Sequence, residues 1–160
     1  MEGGTYEWNP KTAAFSSRTL VDTTGEWGLS DGSIHSITVS GNTLEFGGIK
    51  LKRIFSTTNK LVGSWYLKAG GGYALATFLA NGDYFMVQDG PPGEDVQTGL
   101  ERGTYTWNPS SKVFTRKILV DTNGSWGFSD IAKRKILISG NLLTLKVVGG
   151  PFTLRKVVGQ

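Results

Sequence analysis

The chain of 160 residues holds no cysteine, one histidine and two methionines. Without thiols, a disulfide framework, a thiolate metal site and a thiol nucleophile are all excluded. A triad or a histidine-based metal site needs His35 to have definite partners, and the sequence places none. His35 therefore reads as a surface residue on a strand. No apolar run approaches the roughly 20 residues of a membrane-spanning helix, so no membrane span is expected. Met1 is followed by no signal-like apolar stretch, and any export signal is expected to lie outside this chain. Amphipathic helical periodicity is missing throughout, and so is a motif of paired carboxylates. Neither an enzyme, nor a bound metal, nor a cofactor is expected.

What is present points to strands. Glycine is abundant at 23 residues, aromatics make up 11% and charged residues 19%. That profile suits a strand-rich protein with many tight turns and is too apolar for disorder. The strongest feature is an ungapped internal duplication. Residues 2–42 match residues 101–141, and Trp8 and Trp107 lie 99 positions apart, as do Trp27 and Trp126. About half of the paired positions are identical, which marks a repeat of long period. The copies share the pattern GTYxWNP…LVDTxGxWGxSD…SGN, but not their charge. Residues 101–160 carry ten Lys or Arg against Glu101, Asp121 and Asp130, whereas acids slightly outnumber bases before them.

Short β-branched or aromatic runs, often alternating, predict strands at 5–8, 15–21, 36–39, 44–46 and 49–54. Their counterparts are 104–107, 113–120, 135–138, 142–148 and 152–157. Ser40-Gly41-Asn42 and Ser139-Gly140-Asn141 read as hairpin turns in which Gly or Asn adopts positive φ. The unduplicated centre adds strands at 63–67, 73–79 and 83–87, with Asn81-Gly82 turning the last two. The segment QDGPPGEDVQTG at 88–99 reads as a solvated loop. The expected organisation is a tail half-unit at 1–54, a linker at 55–60 and a complete unit at 61–157. That unit comprises a head (61–100) and the second tail (101–157). Eight strands close a small antiparallel barrel, so the fold class is all-β, a barrel-like unit plus a duplicated half-unit. The leading tail must close against the central strands, a neighbouring chain or the complete unit, because bare edges are avoided. Strand exchange makes self-association through the half-unit an expected partner mode.

Gly63-Ser64-Trp65, opening the first head strand, resembles the calycin group, meaning lipocalins and avidin-like proteins. The following LKAGGGYALATFLANGDYF is similar to the first hairpins of such a barrel. The resemblance implies an eight-stranded lipocalin-like barrel and a late-strand arginine packed over the tryptophan, a role that falls to Arg155. It brings no set of biotin-contacting residues. The tail repeat is similar to tandem modules of bacterial secreted or surface proteins of unknown function, which implies an extracellular or cell-surface setting.

Several residues invite a chemical reading. A carrier of a small apolar ligand would line its barrel with Trp65, Tyr73, Phe78, Tyr84, Phe85, Trp107 and Phe114. Arg116, Lys117, Lys133, Arg134 and Lys135 form the basic surface that an anionic polymer would meet; no nucleic-acid motif accompanies them, and solubility is the simpler reading. Tyr6, Trp8, Trp27 and their counterparts Tyr105, Trp107 and Trp126 suit sugar stacking or core filling, and their retention in both copies favours the core. Asp22-Thr23-Thr24-Gly25 and Asp121-Thr122-Asn123-Gly124 invite comparison with duplicated aspartic proteases, but the added residue before Gly favours an Asx turn. Asp89, Glu94 and Asp95 suit a solvated loop better than a calcium site. Asn123-Gly124-Ser125 fits the glycosylation pattern. The expectation is a non-enzymatic secreted or surface module of structural, adhesive or binding role, with the apolar-ligand carrier as the alternative.

Overall fold

The computed structural model describes residues 2–23, 25, 28–29, 32, 34, 36–56, 58–69, 72–89, 98–124, 127–129, 134–147 and 150–158. They form strands and turns only, in two compact units at residues 1–53 and 54–160. His35, Trp27, Trp126, Lys133, Glu94 and Asp95 lie outside the described residues.

The first unit contains β1 (Glu2–Trp8), β2 (Phe15–Asp22), β3 (Thr38–Ser40), β4 (Thr43–Phe46) and β5 (Ile49–Lys52). β1 pairs with β2, and β3, β4 and β5 form a meander; Ala14 bridges Ser36 between the two sheets. The second unit contains β6 (Gly63–Ala69), β7 (Gly72–Phe78), β8 (Asp83–Asp89), β9 (Gly99–Trp107), β10 (Val113–Asp121), β11 (Arg134–Ser139), β12 (Leu142–Val147) and β13 (Gly150–Lys156). These eight strands run in chain order around a closed antiparallel barrel, with β13 pairing back to β6. An all-β chain with an up-and-down barrel is what eight short alternating segments and tight turns encode.

The alternation is clearest on β7, where Ala74, Ala76 and Phe78 point inward and Tyr73 and Leu75 outward. Inward residues from the head (β6–β8) and the tail (β9–β13) meet in one core. Trp65, Phe78, Tyr84, Phe114, Ile136 and Leu143 are essentially inaccessible. Burying each such side chain stabilises the barrel by about 1.5–3 kcal/mol. Trp65 satisfies its indole N–H on the Leu61 carbonyl at 2.8 Å. The cation over its ring is Lys156 rather than Arg155: Nζ lies 5.5 Å from the ring centroid. Strand parity explains the correction. Leu154 faces inward, Arg155 pairs outward with Tyr66, and Lys156 sits opposite Trp65.

The duplicated stretches fold alike. Glu2 pairs with Asp22 through to Trp8 with Phe15, and Glu101 pairs with Asp121 through to Trp107 with Phe114. Both ladders slip at the same place, where Gly4 and Gly103 cross the opposite strand. A Cβ on Gly4 would collide with the Arg18 carbonyl, and one on Gly103 with the matching Lys117 carbonyl. Asn9 and Asn108 each cap the following turn by accepting two backbone N–H bonds through Oδ1. Positive φ recurs at Ala13 and Lys112, and at Gly41 and Gly140. The last hairpin differs in length: Phe46 turns to Ile49, whereas the second copy continues to Val147 before turning to Gly150.

Candidate binding surface

Equal folds have unequal surroundings. In the barrel Tyr105 is 8% exposed, and its counterpart Tyr6 is 72% exposed. Leu154 is 3% exposed against 49% for Leu51, and Phe128 2% against 41% for Leu29. The stacked pair survives in both, Tyr6 on Phe15 at 6.3 Å and Tyr105 on Phe114 at 6.0 Å. What differs is the cover. Phe78 of the head meets Tyr105 edge-on at 5.1 Å, the Tyr105 hydroxyl donates to the Leu79 carbonyl at 2.8 Å, and Phe78 and Tyr84 close over Phe128. In the first unit the same inner face is open around Tyr6, Leu29 and Leu51. A cleft of about 180 Å³ lies along it, lined by Glu2, Gly4, Tyr6, Phe15, Ser17 and Leu29. A second of about 210 Å³ is lined by Val39, Leu44, Leu51 and Arg53. On the same face Phe15, Ile37 and Phe46 form a small buried core, and the Trp8 indole donates to the Ile37 carbonyl at 2.8 Å, as Trp107 does to Ile136 at 3.2 Å. Among the described residues, no ladder continues beyond the outer edges of β1 and β5.

A polar clamp holds each copy's loop to its sheet. The Glu101 carboxylate is fully buried and accepts the backbone N–H groups of Phe128 at 2.8 Å and Ser129 at 2.5 Å. From the other side the Arg116 guanidinium donates to the carbonyls of Phe128 and Ser129. The first copy repeats this with smaller parts: Leu29 donates to Glu2 at 2.9 Å, and Ser17 Oγ donates to the Leu29 carbonyl at 2.9 Å. Burial pushes the Glu101 carboxyl above the ordinary carboxylate range, with the bonds from Ser129 and Phe128 opposing it. Burial, then the nearby Glu101 charge, also raises the Tyr84 phenol. A raised carboxyl beside a raised phenol is a pattern of acid–base sites. Its recurrence as a loop clamp in both copies supports a structural role instead. The signal for it in the sequence was the retained pair Glu2 and Glu101, each 26 residues before a retained Gly28 or Gly127.

Four of the seven proposed lining residues, Trp65, Phe78, Tyr84 and Phe114, are buried in the barrel, and Trp107 packs against them half-buried. Their rings contact one another, with Phe78, Tyr84, Tyr105, Phe114 and Phe128 at centroid separations of 5.1–6.4 Å. Tyr73 and Phe85 correct the expectation, being 52% and 40% exposed on the outer face because alternation puts them opposite the buried parity. There Lys68 lies over Tyr73 and Arg102 over Phe85.

Of the basic set, Arg116 and Arg134 are partly buried, and Lys133 lies outside the described residues. Arg116 is engaged in the clamp, whereas Lys117 and Lys135 are exposed. Lys135 pairs with Val113, four residues from Lys117, so the two lie about 10 Å or more apart along the strand. Asp89 is exposed at the end of β8. Asn123 donates its backbone N–H to Asp121 Oδ1 at 3.2 Å, an Asx turn, and its side chain is fully buried, which removes it as a glycan acceptor. No helix among the described residues is long and apolar enough to cross a membrane. No protein-family model, curated protein or solved structure matches the chain, so its functional reading rests on this geometry.

Proposed function

We propose that this chain is a non-enzymatic, calycin-like β-barrel repeat module of a secreted or surface protein, with an adhesive or structural role exercised through the open half-barrel of residues 1–53. The observation that carries the reading is the contrast between Tyr6, 72% exposed, and Tyr105, 8% exposed, at the same place in the same local fold. An apolar inner sheet face flanked by two strand edges is a surface for association, since it offers both burial and ladder hydrogen bonds. The aromatic rings packed against one another in the barrel core favour this over the apolar-ligand carrier, which requires an internal cavity. Sedimentation velocity across a concentration series tests it. The wild-type chain is expected to self-associate, and Tyr6→Asp with Leu51→Asp is expected to return it to a monomer. A wild type that stays monomeric up to its solubility limit overturns the reading.

A further inference from the structure

We infer that the open half-barrel of residues 1–53 is an acceptor for one kind of occupant, a three-stranded antiparallel meander of the β6–β8 type supplied by another polypeptide. The inference deepens the adhesive reading above and rests on it.

The barrel itself displays the complex. β9–β13 receive the head along two edges, β8 against β9 and β6 against β13. β1–β5 repeat those acceptor strands with the same registers, the same slip at glycine and the same loop clamp. The head seats Tyr84 where Gly103 has no side chain, with a ring carbon 2.7 Å from where a Cβ would stand. Gly4 leaves the same space at the same slip. The residues that the head covers in the barrel, Tyr105, Phe128 and Leu154, are the ones whose counterparts Tyr6, Leu29 and Leu51 are exposed.

Stoichiometry selects the source. The chain has two tails and one head, and its head is engaged by β9 and β13. Two intact copies can associate through the exposed edges and faces of their half-barrels, but exchanging heads fills one half-barrel by emptying another, with no net gain in paired edges or buried surface. A head from a polypeptide without a competing tail gains both. Transferring the observed pairings sets the register: Phe85 opposite Gly3, Tyr84 opposite Gly4, Trp65 opposite Arg53 and Tyr66 opposite Lys52.

The absence of cysteine makes the register directly readable. The probe is a polypeptide of residues 59–98 carrying Phe85→Cys, added to the full chain carrying Gly3→Cys under mild oxidation. In the barrel the equivalent side chains, Arg102 and Phe85, touch on the outer face, so this pair lies within reach of a disulfide. The expected result is a one-to-one covalent adduct with Gly3→Cys, little or none with the off-register Thr5→Cys, and loss of self-association by the capped chain. Equal adducts at both positions, or an adduct with Arg102→Cys and none with Gly3→Cys, overturn the inference, the latter by showing invasion of the closed barrel. A chain that self-associates but takes up no probe sinks this inference and leaves the adhesive reading standing. A chain that does neither sinks both.

Discussion

The two copies of the tail are one local structure in two environments. Over residues 2–22 and 101–121 they share ladder register, slip and the stacked Tyr–Phe pair, and they share an N-cap-like Asn turn just beyond β1 and β9. They differ in whether three further strands cover the inner face. Strand formation here is therefore a local property, whereas the burial of Tyr105, Phe128 and Leu154 is not. Tyr6 stacks on Phe15 as Tyr105 stacks on Phe114, yet only Tyr105 has its hydroxyl bonded to a head carbonyl and its ring beneath Phe78.

Truncation at the matched tyrosines breaks the comparison most sharply. Tyr105→Ala removes a buried ring and should destabilise the barrel by about 3–5 kcal/mol. Tyr6→Ala removes an exposed one and should cost no more than about 0.5 kcal/mol in the free chain. Urea unfolding of the two variants reads the difference. The effect at Tyr6 should grow toward that at Tyr105 once the probe polypeptide is bound.

The clamp carboxylate gives an effect of intermediate size that depends on pH. Burial raises the Glu101 carboxyl in the folded state, so the native barrel holds that proton more tightly than the unfolded chain does. Its stability is then greatest below the ordinary carboxylate range and declines as pH rises from there through the raised value. Urea midpoints across this window should show the decline in wild type and a flatter profile in Glu101→Gln. Glu2→Gln, placed in the other unit, should leave the barrel's profile as it is.

The smallest expected effect tests sameness. Ala13 and Lys112 hold φ of 60° and 65° in equivalent turns, a conformation that costs an L-residue about 1 kcal/mol relative to glycine. Ala13→Gly and Lys112→Gly should each stabilise their own unit by up to about 1 kcal/mol. Gains that differ by more than this would show that the turns, too, depend on the covering strands.

Much of the fold was legible. Short β-branched or aromatic runs, often alternating, marked the thirteen strands among the described residues, and Ser-Gly-Asn marked the two hairpins that the structure turns at Gly41 and Gly140 with φ of 55°. The site was legible in outline, because a duplicated tail beside a single head already implied an unmatched half. Errors came where one residue of parity decides direction. Arg155 was expected over Trp65 and Lys156 is there, while Tyr73 and Phe85 were expected inside and are outside. Such one-step slips reverse the face of a side chain. The burial of Glu101 was not legible, because nothing local distinguishes a carboxylate that will accept two amides from a distant loop.

By itself the sequence determined the strands and the turns, since each depends on residues near in the chain, together with the repetition and the absence of thiols. It left open which tail would receive the head. The connections to be closed are nearly equal, about ten residues from β5 to β6 and about ten from β8 to β9, and loop entropy hardly separates them. Tertiary structure decided for the trailing tail, which offers the longer final hairpin, Phe128 in place of Leu29 and Arg116 in place of Ser17. Closure is a sum over contacts distant in sequence, and a few added apolar and clamping groups on one of two near-identical edges tip it.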